Sequence, residues 1–414
     1  MTRMSDAVAT ALVDPAAAGM DAARLERITD HFRRHYIEPG KLAGCQTLVA
    51  RRGHLAYFRS LGGLEIERVR PVAADTIWRI YSMTKPITSV ALMTLYERGH
   101  FQLLDPVHRF IPAWRDLKVC ELGADGSCRL VEPARPVTVR DLLMHTSGLS
   151  YAADQDHPVS RLYTEARLLA RDLPLEGFVS RLSELPLVFH PGSRWHYSVA
   201  TDVCGYLVQL ISGRPFDEYL KSELFEPLQM ADTDFYVPEA KWDRFAANYR
   251  RLPDKTLAPP EERFSGDYRQ RPLFLSGGGG LVSTTDDYLR FCRMLLNQGT
   301  LDGARVLGPK TVGLMRQNHL PGGCDIAAMA LGTFGETQFH GNGFGLGFAV
   351  SLGPVATGSV GSPGEYYWGG AASTIFWLDP VEDLTVIFMT QLMPSGTFNF
   401  RGQLHALVYP AIVD

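Results

Sequence analysis

Lysine is scarce in this chain, with seven among 414 residues, although basic residues number 41 and acidic residues 45. The net charge of -4 and a pI near 6.3 argue against a nucleic-acid-binding surface or a polybasic membrane face. Long apolar runs are missing: the longest, around Leu384 to Met393, is too short to span a bilayer. The opening Met1-Thr2-Arg3-Met4-Ser5-Asp6 has no apolar signal core, so a cytoplasmic location is expected. The six cysteines (Cys45, Cys120, Cys128, Cys204, Cys292, Cys324) show no Cys-x-x-Cys spacing. They read as free thiols in a reducing compartment, with a Cys120–Cys128 hairpin staple as the disfavoured alternative. No His, Cys or carboxylate grouping has metal spacing, so no metal and no cofactor are expected. Gly-x-Ser-x-Gly is absent, which leaves a Ser-His-Asp triad without an anchor despite His145 and His196. The run Gly277–Gly280 is not followed by Lys-Ser/Thr, so it is no phosphate loop. It reads as a tight turn near a cleft.

What is present is a globular composition, 45% hydrophobic and 21% charged, long enough for one large or two intertwined domains. One stretch organises the rest: Thr76-Ile77-Trp78-Arg79-Ile80-Tyr81-Ser82-Met83-Thr84-Lys85-Pro86. Its β-branched and aromatic start reads as a strand. The chain turns at Tyr81-Ser82, and apolar periodicity then predicts a helix from Met83 to about Arg98. Ser82 falls where an N-cap belongs and Pro86 in the first turn. Lys85 follows Ser82 by three residues, so both project from one face of the helix start. A serine hydroxyl needs a partner to take its proton, and a desolvated lysine can be that partner. A capping serine before a solvated lysine has the same spelling. This is the only Ser-x-x-Lys in the chain, and it lies at a strand-to-helix junction, where the chemistry requires it.

Elsewhere, 21–38 reads as an amphipathic helix, and Cys45–Val49 with His54–Phe58 as a hairpin around Arg51-Arg52-Gly53. Short helices are expected within Val137–Gly148 and twice within 158–185. Longer ones are expected over Val199–Ile211 and Thr285–Asn297. Phe344–Leu352, Tyr366–Leu378 and Leu384–Leu392 read as three strands, and Phe400–Val408 as a closing helix. Strand-rich ends around a helical middle predict an α+β fold: an antiparallel sheet built from both chain ends, flanked by helices, with a large mostly helical insertion. The expected division is 1–105 with 340–414 for the sheet domain and 106–339 for the helical one.

Five motifs recur here in a familiar order. They are Tyr81-Ser82-Met83-Thr84-Lys85, Leu104-Asp105-Pro106, Leu142 to Leu149 around His145-Thr146-Ser147-Gly148, Pro191-Gly192 before Tyr197-Ser198, and Trp368-Gly369-Gly370. Over about 21–412 the chain resembles the class C β-lactamase-like serine hydrolases, and more narrowly the family VIII carboxylesterases. The resemblance implies a β-lactamase/transpeptidase-like fold, with Ser82 as nucleophile, Lys85 as its base partner and Tyr197 as a proton relay. It also implies an oxyanion and substrate site from Ser82, Trp368, Gly369, Gly370 and Ala371, the N–H groups of Ser82 and Ala371 holding the oxyanion.

Two departures bear on substrate. The third position of the family's Tyr-x-Asn motif is Val199, so an amide is missing. Trp368-Gly369-Gly370 stands where β-lactamases carry Lys-Thr-Gly; Lys310-Thr311-Val312 lies in a helical context and is no substitute. A tryptophan exposed in the cleft offers apolar surface and one donor rather than a charge, which favours uncharged esters. His196 is expected at the cleft rim in a structural role. The expected function is a serine carboxylesterase on short-chain, small-molecule acyl esters, with no nucleic-acid or membrane partner. Its rivals are a β-lactamase or D-Ala-D-Ala peptidase, an acyltransferase on the same scaffold, and a degenerate binding module.

Overall fold

A seven-stranded antiparallel sheet collects its strands from the two ends of the chain. The structure is a computed structural model describing residues 13–151, 157–260, 266–332 and 338–414. The first helix, α1 (Ala22–Phe32), is capped by the Asp21 carboxylate, which accepts from Arg24 N–H, and it buries Leu25, Ile28 and Phe32. Strands β1 (Gly44–Arg51) and β2 (His54–Gly62) then form the expected hairpin. Its turn is Arg52-Gly53, both at positive φ (52° and 78°). β1 is buried along its whole length, because it lies inside the sheet with both faces covered.

The C-terminal part supplies β3 (Asn342–Phe344), β4 (Ala349–Ser351), β5 (Tyr366–Gly369), β6 (Ile375–Asp379) and β7 (Leu384–Thr390). Across the sheet the order is β3-β4-β5-β6-β7-β1-β2. Two of the three expected C-terminal strands are thus each a hairpin of two strands. Gly347 breaks the first at φ 96°, and a buried turn breaks the second, where Gly370 N–H donates to Thr374 O at 2.7 Å. The central join is β1 with β7, in register from Cys45 opposite Thr390 to Arg51 opposite Leu384.

Side chains alternate between the two faces. Phe388 and Trp377 meet one helical layer: Phe32 of α1 at 4.8 Å, and His405 of the closing helix at 4.4 Å. Phe376 faces the other way, 5.0 Å from Tyr288 of the helix Thr285–Leu296. The helix-rich middle lies on that second side and begins with α2 (Thr84–Glu97), buried at nearly every residue. There follow α3 (Val139–Met144), α4 (Pro158–Glu165), α5 (Leu175–Ser183) and α6 (Ala200–Ser212), the last stopped by Gly213 at φ 69°. The chain closes with α7 (Thr285–Leu296) and α8 (Phe400–Val408). Lys310-Thr311-Val312 is helical, as expected.

The cysteine reading needs one correction. Val119–Leu122 and Cys128–Val131 form a hairpin, and Cys120 is disulfide-bonded to Cys128 across it. Strand pairing brings their Cα atoms to 5.3 Å, within disulfide reach. Cys45, Cys204, Cys292 and Cys324 are free. Among the described residues no helix is long and apolar enough to cross a membrane.

Candidate active site

The strand before Ser82 is shorter than its composition suggests. Trp78–Arg79 pair antiparallel to Val282–Ser283, Ile77 makes a single parallel bridge to Phe245, and Ile80 N–H donates to Leu281 O at 3.1 Å. The chain then turns sharply at Tyr81, a non-glycine residue at φ 42°. Such a conformation costs on the order of 1–3 kcal/mol and persists only where the surroundings enforce it. Here Gly279 packs on the Tyr81 backbone, and Asn248 Nδ2 donates to the Tyr81 hydroxyl at 2.8 Å. Tyr81–Met83 form a single 3-10 turn, and α2 starts at Thr84 with no side-chain cap. Ser82 is therefore not the N-cap the sequence suggested. The 3-10 turn displaces it by one position and aims its hydroxyl at Lys85, whose Nζ lies 3.3 Å from Ser82 Oγ.

Both side chains are buried, Ser82 at 7% exposure and Lys85 at 2%. Lys85 Nζ also donates to Gly278 O at 2.6 Å. It sits 4.4 Å from the centre of the Tyr197 ring and 5.2 Å from that of Tyr151. The run Gly277–Gly280 is thus a turn at the cleft, as expected, and its glycines are there for close approach. A Cβ on Gly278 would lie 2.5 Å from Asp202 Oδ2 and 2.7 Å from the Tyr151 hydroxyl.

Tyr197 reaches the same place from the middle of the chain. Pro191-Gly192 redirects the backbone, with Gly192 at φ 83° and its N–H on Thr146 O. His196 N–H then donates to His145 O at 2.9 Å, and α6 begins three residues after Tyr197. The ring is walled by His145 at 4.8 Å, Tyr151 at 5.3 Å and Trp195 at 6.2 Å. His145 is buried; loss of water and the nearby Lys85 charge hold its imidazole well below the usual range, so it is neutral. His196 engages Ser150 Oγ and Leu331 O. Val199 is buried in the core and brings no polar group to the cleft.

Trp368 is the main correction. The flanking glycines suggested exposure in a cleft, but its side chain is wholly buried. Alternation along β5 points it to the Tyr197 face, where Phe344 packs at 5.4 Å. Its indole N–H donates to the Tyr197 hydroxyl at 3.1 Å. The glycines serve the backbone instead: a Cβ on Gly370 would lie 2.4 Å from Ile80 O and 2.3 Å from Thr374 Oγ1. That contact brings the end of β5 against the turn Tyr81–Met83. The Gly370 N–H is committed to Thr374, whereas among the described residues the N–H of half-buried Ala371 meets no acceptor. From behind, Arg401 of α8 donates to Trp368 O at 3.1 Å and lies over the Tyr367 ring at 4.1 Å.

Ser82, Lys85, Tyr197 and Trp368 are therefore linked through direct contacts, with Gly370 one residue-width from the turn. Sequence reading missed Asp202, Tyr151 and the Gly278 carbonyl. Only Asp202 had a visible signal, an acid in the first turn of α6, and that signal is common to ordinary helices. Such an arrangement can pass a proton from a hydroxyl to a buried amine beside a phenol.

A seven-stranded antiparallel sheet with a helical layer on each face, and a buried serine–lysine pair at a helix start, is an arrangement of the β-lactamase/transpeptidase-like fold. The chain belongs to the Beta-lactamase family, whose model matches residues 29–409, and it is a hydrolase of the family VIII esterase type. It is 36% identical to Protein Rv1367c of Mycobacterium tuberculosis over 370 residues, 87% of this chain and 89% of that one. It is 32% identical to Esterase EstB of Burkholderia gladioli over 404 residues, 93% of this chain and 95% of that one. The solved structure of EstCE1, described as a hydrolase with promiscuous acyltransferase activity, superposes with a TM-score of 0.75 at 27% identity. That match covers 95% of this chain and 98% of EstCE1.

Proposed function

We propose that this protein is a serine carboxylesterase that hydrolyses short-chain acyl esters of small molecules through an acyl-enzyme on Ser82. The observation that carries the reading is the buried Lys85 Nζ, 3.3 Å from Ser82 Oγ. Ser82 Oγ attacks the ester carbonyl carbon and its proton passes to Lys85, with Tyr197 relaying it to the departing alcohol. The N–H groups of Ser82 and Ala371 receive the oxyanion. Water then attacks the acyl-enzyme, gives its proton back along the same path and releases the acid. The sheet domain (1–105 with 340–414) and the helical domain (106–339) enclose this cleft. The location is read as cytoplasmic on the four remaining thiols, and the partner as a small ester rather than a nucleic acid or membrane.

Ser82→Ala should abolish hydrolysis of p-nitrophenyl butyrate, and a fluorophosphonate should add its mass at Ser82 alone. Labelling at Ser147 or Ser359 instead would refute the assignment.

Selectivity for esters rests on what the β5 position lacks. No ammonium stands there for a lactam carboxylate, and losing such a charge-assisted contact costs about ten- to hundredfold in affinity. Buried Trp368 adds no apolar wall, so the preference comes from the missing charge and from the amide that Val199 does not supply. The kcat/KM for p-nitrophenyl butyrate should exceed that for nitrocefin and ampicillin on one preparation; comparable lactam values would favour a β-lactamase. An acyltransferase is the second reading, favoured by the likeness to EstCE1. Added alcohol would then partition the acyl-enzyme into a new ester, read as product ratio at constant p-nitrophenol release.

A further inference from the structure

Asp202 is a wholly buried carboxylate in the first turn of α6. Its Oδ1 accepts from Ser276 Oγ at 2.5 Å and from Gly278 N–H at 2.9 Å. Its Oδ2 is buried and meets no hydrogen-bond donor among the described residues. An ion left half satisfied in the interior is costly, so it calls for an explanation. The loop it grips supplies one. Gly277 O accepts from Thr88 Oγ1 at 2.8 Å and Gly278 O from Lys85 Nζ at 2.6 Å, so two successive carbonyls dock on α2. On the far side, a Cβ on Gly277 would lie 2.7 Å from Thr201 O, and one on Gly278 would lie 2.5 Å from Asp202 Oδ2. The loop is a thin wedge of backbone between α2 and α6. Asp202 is its charged anchor on the α6 side, opposite Lys85 on α2.

We propose that Asp202 is a positioning residue for Lys85, setting the Gly278 carbonyl that aims the amine at Ser82 and supplying the negative charge that balances the ammonium formed when Lys85 takes the Ser82 proton. The proton moves from Ser82 Oγ to Lys85 Nζ, and Asp202 gains none. This is the task a buried aspartate performs for histidine in a Ser-His-Asp triad, transferred through one peptide unit. The electrostatic link runs both ways: burial raises the Asp202 carboxyl above its usual range, while Ser276, the Lys85 charge and Gly278 N–H pull it back. The inference rests on the reading of Ser82 and Lys85 as nucleophile and base.

Asp202→Asn keeps an acceptor for Ser276 and Gly278, removes the charge and puts an amide NH2 where Oδ2 lies. On p-nitrophenyl butyrate kcat should fall about ten- to hundredfold with KM within about threefold, the pattern of an interaction made mainly in the transition state. The acidic limb of the kcat profile should also move to lower pH, by about one unit, because a lysine without its counter-charge gives up its proton more readily. A merely structural aspartate would lower the melting temperature and leave that limb in place. An unmoved limb in a folded Asp202→Asn overturns the proposal. Should Asp202→Asn not fold, Ser276→Ala frees one arm of the clamp and should lower kcat by about tenfold with the limb unmoved, the scale of one hydrogen bond to a charged group. An unchanged kcat in Ser276→Ala would then count as refutation. Fluorophosphonate labelling of the wild type separates the two failures. No label at Ser82 defeats the underlying reading, whereas a stoichiometric label with an unmoved limb defeats only the role of Asp202.

Discussion

The indole of Trp368 acts on the site through a single contact, its N–H on the Tyr197 hydroxyl. Replacing it by phenylalanine removes that donor and keeps most of the buried ring. A neutral hydrogen bond contributes about 0.5–1.5 kcal/mol, so kcat should fall about two- to tenfold in Trp368→Phe. KM for p-nitrophenyl butyrate should hardly move, since the side chain is walled off from solvent. A large rise in KM with kcat unchanged would instead place the indole in the substrate pocket. This residue also shows where sequence reading stops. Two adjacent glycines suggested an exposed tryptophan, yet they answer to Ile80 O and Thr374 on the backbone side. Ser82 and Lys85 were legible because their spacing, their uniqueness and the helix start all agree. Asp202 was not, because an acid in a first helical turn is ordinary and nothing local tells that it will be buried.

At the scale of elements, the end of β5 and the turn Tyr81–Met83 form one joint. An alanine at Gly370 would force its Cβ to 2.4 Å from Ile80 O, and one at Gly369 would meet nothing nearer than 3.1 Å. Overpacking of this kind costs about 1–3 kcal/mol. Gly370→Ala should therefore lose more than about tenfold in kcat by pushing β5 off the turn Tyr81–Met83, and Gly369→Ala should lose much less. The pair is compared by kcat and melting temperature; equal effects would show that the joint is not under steric control. Helices were the legible elements. α2, α6 and α8 carry apolar periodicity and identifiable stops, and their bounds fall within a residue or two of expectation. The β5–β6 hairpin was not legible. Its turn, Gly370 to Thr374, is largely buried and built of small residues, so no proline or charge interrupts the apolar run. The Cys120–Cys128 bond was misjudged because compartment was weighed above the hairpin that pairs them.

At the scale of the molecule, a buried cluster between β6 and α8 sets how stability follows pH. Tyr409 OH lies 2.5 Å from Glu365 Oε2 and 2.8 Å from Asp379 Oδ2, and a phenol has one proton for two carboxyls. One further proton is needed, and Glu365 holds it: burial pushes its carboxyl up to about 8. Glu365 then donates to Tyr409, which donates to Asp379. The neighbouring His405 donates from Nδ1 to Val360 O and is held down to about 4 by burial and Arg401. The signs oppose. Stability from protonated Glu365 is complete below its unfolded value and is lost as pH rises toward about 8. Stability from neutral His405 is complete above its unfolded value and is lost as pH falls toward about 4. The two cancel in mild acid, so the net loss appears between about pH 6.5 and 8, near 1.4 kcal/mol per unit for each uncompensated proton. Asp287, raised to about 7 by burial, has no such opponent and extends the loss through mild acid, from its unfolded value up to about pH 7. Glu365→Gln should flatten the fall in melting temperature across this range, and a slope equal to the wild type's would remove Glu365 from the account.

The join of β1 to β7 also bears on how the protein is made. On a translating ribosome β1 emerges early, with every residue destined for burial, but its partner strand exists only after residue 390 has been added. At ~10 residues per second that wait lasts roughly half a minute. During it the nascent chain presents an apolar strand edge with only β2 beside it, on one side. A stalled chain ending before 340 should therefore partition to the pellet or to chaperones. The turn Tyr81–Met83, which leans on Gly370, can gain its final shape only when synthesis is nearly over.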